Sequence, residues 1–210
     1  MTTDPETTPG RRRLPTQQRS RDRVEAILSA AHQLIAENGS DAMTMSEVAS
    51  RAGVPIGSVY QYFSDKPAIL RELAVRFMER VRGILDDGLT DLHDGAEALV
   101  RLDALLDGYY QLLRNEPESR DVWAATQSDK ELQRLDVEDS RLNGELLTER
   151  LAPLCRPDQI DRLPSTAFLL VHLAGAAVRL AIAVDVATGD AMMSEFRALS
   201  ARMLTELLDA

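Results

Sequence analysis

A short segment from Pro55 to Phe63 carries Ser58, Tyr60, Gln61 and Tyr62 beside the apolar Val59 and Phe63. Three hydroxyls and a carboxamide in so short a stretch suit hydrogen bonding to phosphates and base edges. Gln61 is able to pair bidentately with an adenine. Gly57 permits close approach of the backbone, and Ile56 offers apolar contact. These are recognition groups rather than reaction groups. His32, His93 and His172 fall on separate elements, and no HExxH or nucleophile motif occurs. Metal-ligand spacing is also absent, so no metal, cofactor or catalytic residue is expected. An enzyme remains the remote alternative.

Groups that read DNA need elements slim enough to enter a groove. Thr44-Met45-Ser46-Glu47 is a capping box, a hydroxyl followed three residues later by a carboxylate, and it opens a short helix. Gly53 ends that helix, and Pro55 admits a second one through Tyr62. Val48, Ala49, Val54, Val59 and Phe63 supply its apolar backing. Upstream, Val24, Ile27, Leu28, Ala31, Leu34 and Ile35 form one stripe on a helix from Arg21 to Glu37, stopped by Asn38-Gly39. Asp65 is placed to cap a longer helix reaching Leu85, with Pro67 harmless in its first turn. Two short helices joined through a glycine-containing turn make a helix-turn-helix.

The segment Met43 to Lys66, with Ala-Gly-Val at 52–54, Gly-Ser-Val-Tyr-Gln-Tyr-Phe at 57–63 and Asp-Lys at 65–66, resembles the TetR family of bacterial repressors. The likeness covers about Arg21 to Leu70; beyond Leu73 only the helical layout matches. It implies that Thr44, Ser58, Tyr60, Tyr62 and Lys66 hold phosphates, and that Ser46, Ile56, Gly57 and Gln61 meet base edges. Tyr60 as a core aromatic, and Ser46 and Ile56 as plain solvent-facing residues, are the alternatives. Pro55 stands where a serine or threonine cap is common in the family, and Pro67 where a glutamate is common.

The expected fold is all-α, with an N-terminal three-helix helix-turn-helix domain and a C-terminal helical ligand-binding and dimerisation domain. Residues 1–18 read as a disordered basic arm, 19–66 as the DNA-binding domain and 67–210 as the effector and dimerisation domain. Low aromatic content (4%) beside 44% hydrophobic residues, mostly Ala and Leu, favours helices over strands. The formal charge of −10 confines nucleic-acid contact to a local patch. Between Arg11 and Arg23 six arginines face one acid, Asp22, whereas from Pro67 onward 26 acids outnumber 16 bases. The arginines of the arm are candidates for a minor groove or flanking phosphates.

Further helices are expected at Ala96–Asn115, Glu118–Gln127, Lys130–Leu151, Gln159–Val186 and Ala191–Leu208, with a break at Thr188-Gly189-Asp190. The fourth of these is apolar nearly all round and is read as buried on every side. Arg179, His172 and Asp185 interrupt it, and a mid-span arginine costs about 2.5–3.5 kcal/mol in a bilayer, so no membrane span is expected. The single Cys155 and the absence of an apolar leader fit a cytoplasmic protein.

Family resemblance implies a homodimer through the last two helices, with Leu170, Ala174, Val178, Phe196, Leu199 and Met203 at the interface. It also implies an unidentified small-molecule effector among the middle helices. Phe77, Met78, Tyr109, Tyr110, Trp123, Phe168 and His172 are the candidates to line its pocket. Arg179 either meets an acidic ligand together with His172 or pairs with an acid such as Glu195 across the interface. A regulator controlled by a protein partner or by abundance alone is the second functional alternative.

Overall fold

The computed structural model describes residues 14–116, 119, 121–122 and 130–209; the expected helix at Glu118–Gln127, Trp123 and the Arg11–Arg13 cluster lie wholly or largely outside them. The helices are α1 (Leu14–Asn38), α2 (Met45–Ala52), α3 (Ile56–Tyr62), α4 (Lys66–Gly88), α5 (Gly95–Asn115), α6 (Lys130–Leu151), α7 (Leu163–Ile182) and α8 (Val186–Thr205). Among the described residues the sole β pairing is an isolated antiparallel bridge between Cys155 and Leu208. Two compact units divide the chain, the boundary falling after Leu70, within α4.

In the first unit, the α1 stripe is the core. Ile27, Leu28, Ala31, Leu34 and Ile35 are buried together with Val48, Ala49, Val59 and Phe63. The Thr44 hydroxyl accepts from the Glu47 amide (3.3 Å), while the Glu47 carboxylate accepts from the Thr44 amide (3.0 Å), completing the reciprocal cap. Gly53 closes α2 at φ 65°, a left-handed conformation that strains other residues.

α1 starts at Leu14, seven residues before the expected Arg21, so residues 14–18, assigned to the arm, are helical. Pro15 sits in the first turn, where its missing N–H costs nothing, and no glycine intervenes before Asn38. Gln18 supports that extension by donating to Asp22 one turn on, at 2.7 Å.

Two apolar clusters build the second unit. One gathers Leu89, Leu147, Leu151, Leu163, Leu170, Leu204 and Leu207. The other gathers Phe77, Met78, Tyr110, Leu113, Val178 and Met193. The break between α7 and α8 falls at Ala183–Asp185 rather than at Thr188-Gly189-Asp190. Asp185 caps α8 by accepting from the Thr188 amide at 3.1 Å. Gly189 is a packing residue, since a Cβ there would lie 2.4 Å from the Ala181 carbonyl oxygen of α7.

α7 is long and apolar enough by composition to cross a membrane, but it packs as a helix of the second unit. Within one chain it is not enclosed on all sides: Leu163, Ala167, Leu170, Val178 and Ala181 are buried, whereas Leu169 and Leu180 are exposed.

Candidate functional site

Two sites emerge, one in each unit. On α3, the helical period turns Val59 inward, fully buried, and leaves Ile56 and Tyr60 outward at 42% and 54% exposure. Tyr60 is therefore a surface aromatic and not a core one. Gly57 and Gln61 are exposed on the same short helix, and Ser58 is half-buried. A Cβ on Gly57 would meet nothing within 4 Å, so no neighbour in the chain requires a glycine there. Thr44 and Ser46 are exposed at the start of α2, where free amides favour an anion.

Tyr62 is half-buried, and its hydroxyl lies 3.2 Å from the Ser20 Oγ of α1. Lys66 is also half-buried, and its ammonium donates to the carbonyls of Ser40 and Asp41, each at 3.0 Å. Both residues thus tie elements of the reading unit together, a role their positions in sequence did not disclose. Arg19, Arg21 and Arg23 are exposed along α1. Arg51 forks onto Glu37, with contacts of 2.5 and 2.7 Å, and that hydrogen bonding holds the Glu37 carboxyl below its ordinary pKa.

The second site is a cavity of about 650 Å³ in the second unit, running between the two apolar clusters. Phe77, Met78 and Tyr109 line it, as expected. Other expected members do not. Tyr110 is 3% exposed and donates its hydroxyl to Asp190 at 3.0 Å, making it a core residue with a satisfied polar end. Phe168 is 38% exposed, and its backbone lies against Gly144 of α6. His172 does not line the cavity, and its Nδ1 lies 3.0 Å from the Oγ of Ser140, which does. Ser140 spends its own proton on the Asp136 carbonyl at 2.8 Å, so the imidazole Nδ1–H is the donor to that hydroxyl.

Several residues assigned to the dimer interface belong to this interior. Leu170 and Val178 are 6% and 0% exposed within a single chain, and Leu170, Ala174 and Phe196 line the cavity. Met203 packs partly buried on the first cluster, which leaves Leu199, at 46%, as the outward residue of the set. An apolar stripe on α7, Leu169, the half-buried Leu173, Ala176 and Leu180, continued by Val184 just past its end, takes the outer position instead.

The polar end of the cavity comes from a single face of α6: Asp136, Asp139, Ser140 and Asn143 recur at i, i+3, i+4 and i+7. Asp139 takes the Arg82 guanidinium at 2.5 Å and the Asn143 amide at 2.9 Å. Burial nevertheless holds its carboxyl above the ordinary value, against the pull of Arg82. Arg179 folds over Gly175 of its own helix and pairs with Asp136 at 3.5 Å within the chain. Burial pushes the Tyr109 hydroxyl well above its usual pKa, and Arg179, Asp136 and Asp139 all act on it. Sequence reasoning missed the acids because a helix as charged as α6 reads as a solvated face. Among the described residues no cluster of three or more His, Cys, Asp or Glu is placed to hold a metal.

Residues 27–73 match the family model described as bacterial regulatory proteins, tetR family, and residues 96–208 match that of the tetracyclin repressor-like C-terminal domain. The HTH-type transcriptional regulator BetI of Agrobacterium fabrum is 31% identical over 160 residues, which span 71% of this chain and 73% of that protein. A TetR-family transcriptional regulator from Streptomyces coelicolor superposes with a TM-score of 0.69 at 32% identity, covering 90% of this chain and 99% of the other. The SmeT–triclosan complex shares the fold, with a TM-score of 0.61 at 18% identity over 89% of this chain and 92% of its own.

Proposed function

Because the chain belongs to the TetR family of bacterial transcriptional regulators, we propose that it is a homodimeric, cytoplasmic repressor that reads a two-fold operator through α2 and α3 and leaves it when a small molecule enters the cavity. The observation that carries the reading is the outward face of α3. Ile56, Gly57, Tyr60 and Gln61 are exposed on a helix narrow enough for the major groove. Ile56, Gly57 and Gln61, with Ser46 from α2, meet bases; Thr44, Ser58, Tyr60, Tyr62 and Lys66 meet phosphates. Lys66 keeps one N–H for that contact after bonding two carbonyls.

A seven-residue reading helix makes few contacts, so affinity comes from placing two on one duplex, about 34–36 Å apart. The outer stripe of α7 and Leu199 of α8 supply the apolar surface through which two copies join. α4 begins at Lys66 and contributes Phe77, Met78, Val81, Ile84 and Leu85 to the cavity wall. A ligand that favours one setting of α4 therefore biases operator affinity by its differential affinity for the two settings. The two BetI relatives are transcriptional regulators by name, in keeping with a non-catalytic role.

Selection of bound sequences from random duplex DNA at fixed salt tests the reading. A palindrome with half-sites one helical turn apart is the expected result. Recovery of sequence-indifferent, purely salt-sensitive binding would overturn it.

A further inference from the structure

The polar corner of the cavity is unevenly satisfied. Asn143 is 4% exposed and lines the cavity. Its Nδ2 donates to Asp139 at 2.9 Å, which fixes the orientation of the amide, since a flip would set Oδ1 against a carboxylate. Oδ1 then accepts no hydrogen bond among the described residues. The Tyr109 hydroxyl likewise makes none among the described residues, although Asp136, Asp139 and Arg179 all act on it. Asp136 has one ion pair, to Arg179, and at 3.5 Å that is longer than the roughly 2.7–2.9 Å of a charge-assisted hydrogen bond.

Among the described residues that line this corner donors are short; the unpaired Arg82 Nε belongs to a residue that does not line the cavity. An amide oxygen, a carboxylate and a phenol oxygen await donors, and buried acceptors left unpaired are costly. An anionic head would meet Asp136 and Asp139, which both line this part of the cavity. The cations lining the cavity are already engaged: Arg179 with Asp136, and Arg101 with Glu97 and with the carbonyls of Gly88 and Thr90. Most of the remaining wall is apolar and includes Phe77 and Phe196.

Resting on the reading of this cavity as the effector site, we propose that the effector is an amphiphile with an apolar body and a protonated, N–H-bearing nitrogen head seated against Asp136, Asn143 and Tyr109. A primary amine or amidine meets that description. A carboxylic acid does not.

Four probes with one ten-carbon body separate the possibilities: decylamine, decyltrimethylammonium, decanol and decanoate, each titrated by calorimetry at pH 7 into the full-length protein. Decylamine is expected to bind at least tenfold more tightly than decanoate and severalfold more tightly than the quaternary ammonium, which has charge but no donor. Asp136→Asn is expected to cost decylamine tenfold or more and decanol less than twofold. Tyr109→Phe, which removes a hydroxyl that makes no hydrogen bond among the described residues, is expected to cost decylamine at least threefold. Tighter binding of decanoate, an equal quaternary head, or decylamine binding indifferent to both substitutions overturns the head-group assignment. Gly108 lines the cavity with nothing within 4 Å of its Cβ position, so a side chain can start there and Gly108→Met is the variant chosen to crowd the cavity. Binding of no probe, or binding untouched by Gly108→Met, overturns the effector-site reading and the assignment with it.

Discussion

Lys66, the first residue of α4, donates its ammonium to the carbonyl of Ser40 at 3.0 Å and so holds the loop that leads into α2. Asp41 takes a second bond at the same distance. An ammonium fixed by two carbonyls meets a phosphate without first giving up side-chain freedom. Lys66→Met is therefore expected to lower stability by about 1–2 kcal/mol and to weaken operator binding together. The slope of log affinity against log salt should fall by about one if the third N–H holds a phosphate. Urea melts and salt-dependent DNA titrations read the two effects separately, and an unchanged slope would leave Lys66 a purely structural staple.

Gly57 makes the opposite pairing of effects. Its Cβ position is open, and glycine within a helix costs roughly 0.5–1 kcal/mol relative to alanine. Gly57→Ala should thus raise the melting temperature while reducing operator affinity tenfold or more, because the added methyl group stands where the duplex backbone or a base must come. Thermal unfolding and an electrophoretic titration of the same sample check it. Unaltered DNA affinity would remove Gly57 from the interface.

The reading unit was legible because its signals are local. Thr44 and Glu47 cap each other across three residues, and Gly53 needs only its own backbone to end α2. Where the sequence misled, the deciding contacts are distant. Gly189 looks like a breaker until the Ala181 carbonyl is set against it. α7 has apolar residues on nearly every face, so its periodicity holds no information on which face turns inward. Asp136 and Asp139 sit in a charged helix whose acids elsewhere face solvent, and the packing of α6 against other helices, with Arg82 of α4 and Arg179 of α7 on these acids, sets them apart.

That ambiguity in α7 resolves into a pair of contrasting substitutions. Leu180 is 54% exposed and Leu170 only 6%. Leu180→Glu should leave the fold intact and shift the protein toward monomer, with loss of operator binding. Leu170→Ala should instead cost about 2–5 kcal/mol of stability. Sedimentation measurements beside urea melts distinguish the two outcomes. A Leu180→Glu protein that stays dimeric would place the interface elsewhere.

Acid stability offers a last measurable consequence, and it rests on Glu97. Its carboxylate accepts from the backbone N–H of His93 at 3.0 Å, from the His93 ring at 2.9 Å and from Arg101 at 2.5 Å. These contacts, the His93 amide foremost, draw its pKa down from 4.5 to about 2. A carboxyl with a depressed folded pKa stabilises fully above its unfolded value, and the contribution disappears as pH falls through the folded one. Glu97 accordingly stabilises the start of α5 at pH 5 and above, and loses that effect between about pH 4.5 and pH 2. Glu97→Gln should be less stable than the parent at pH 6, with the gap closing as the pH approaches 2. Urea midpoints taken every half unit from pH 2 to pH 6 follow the difference. A gap that stays constant across that range would mean that Glu97 acts through packing rather than through its charge.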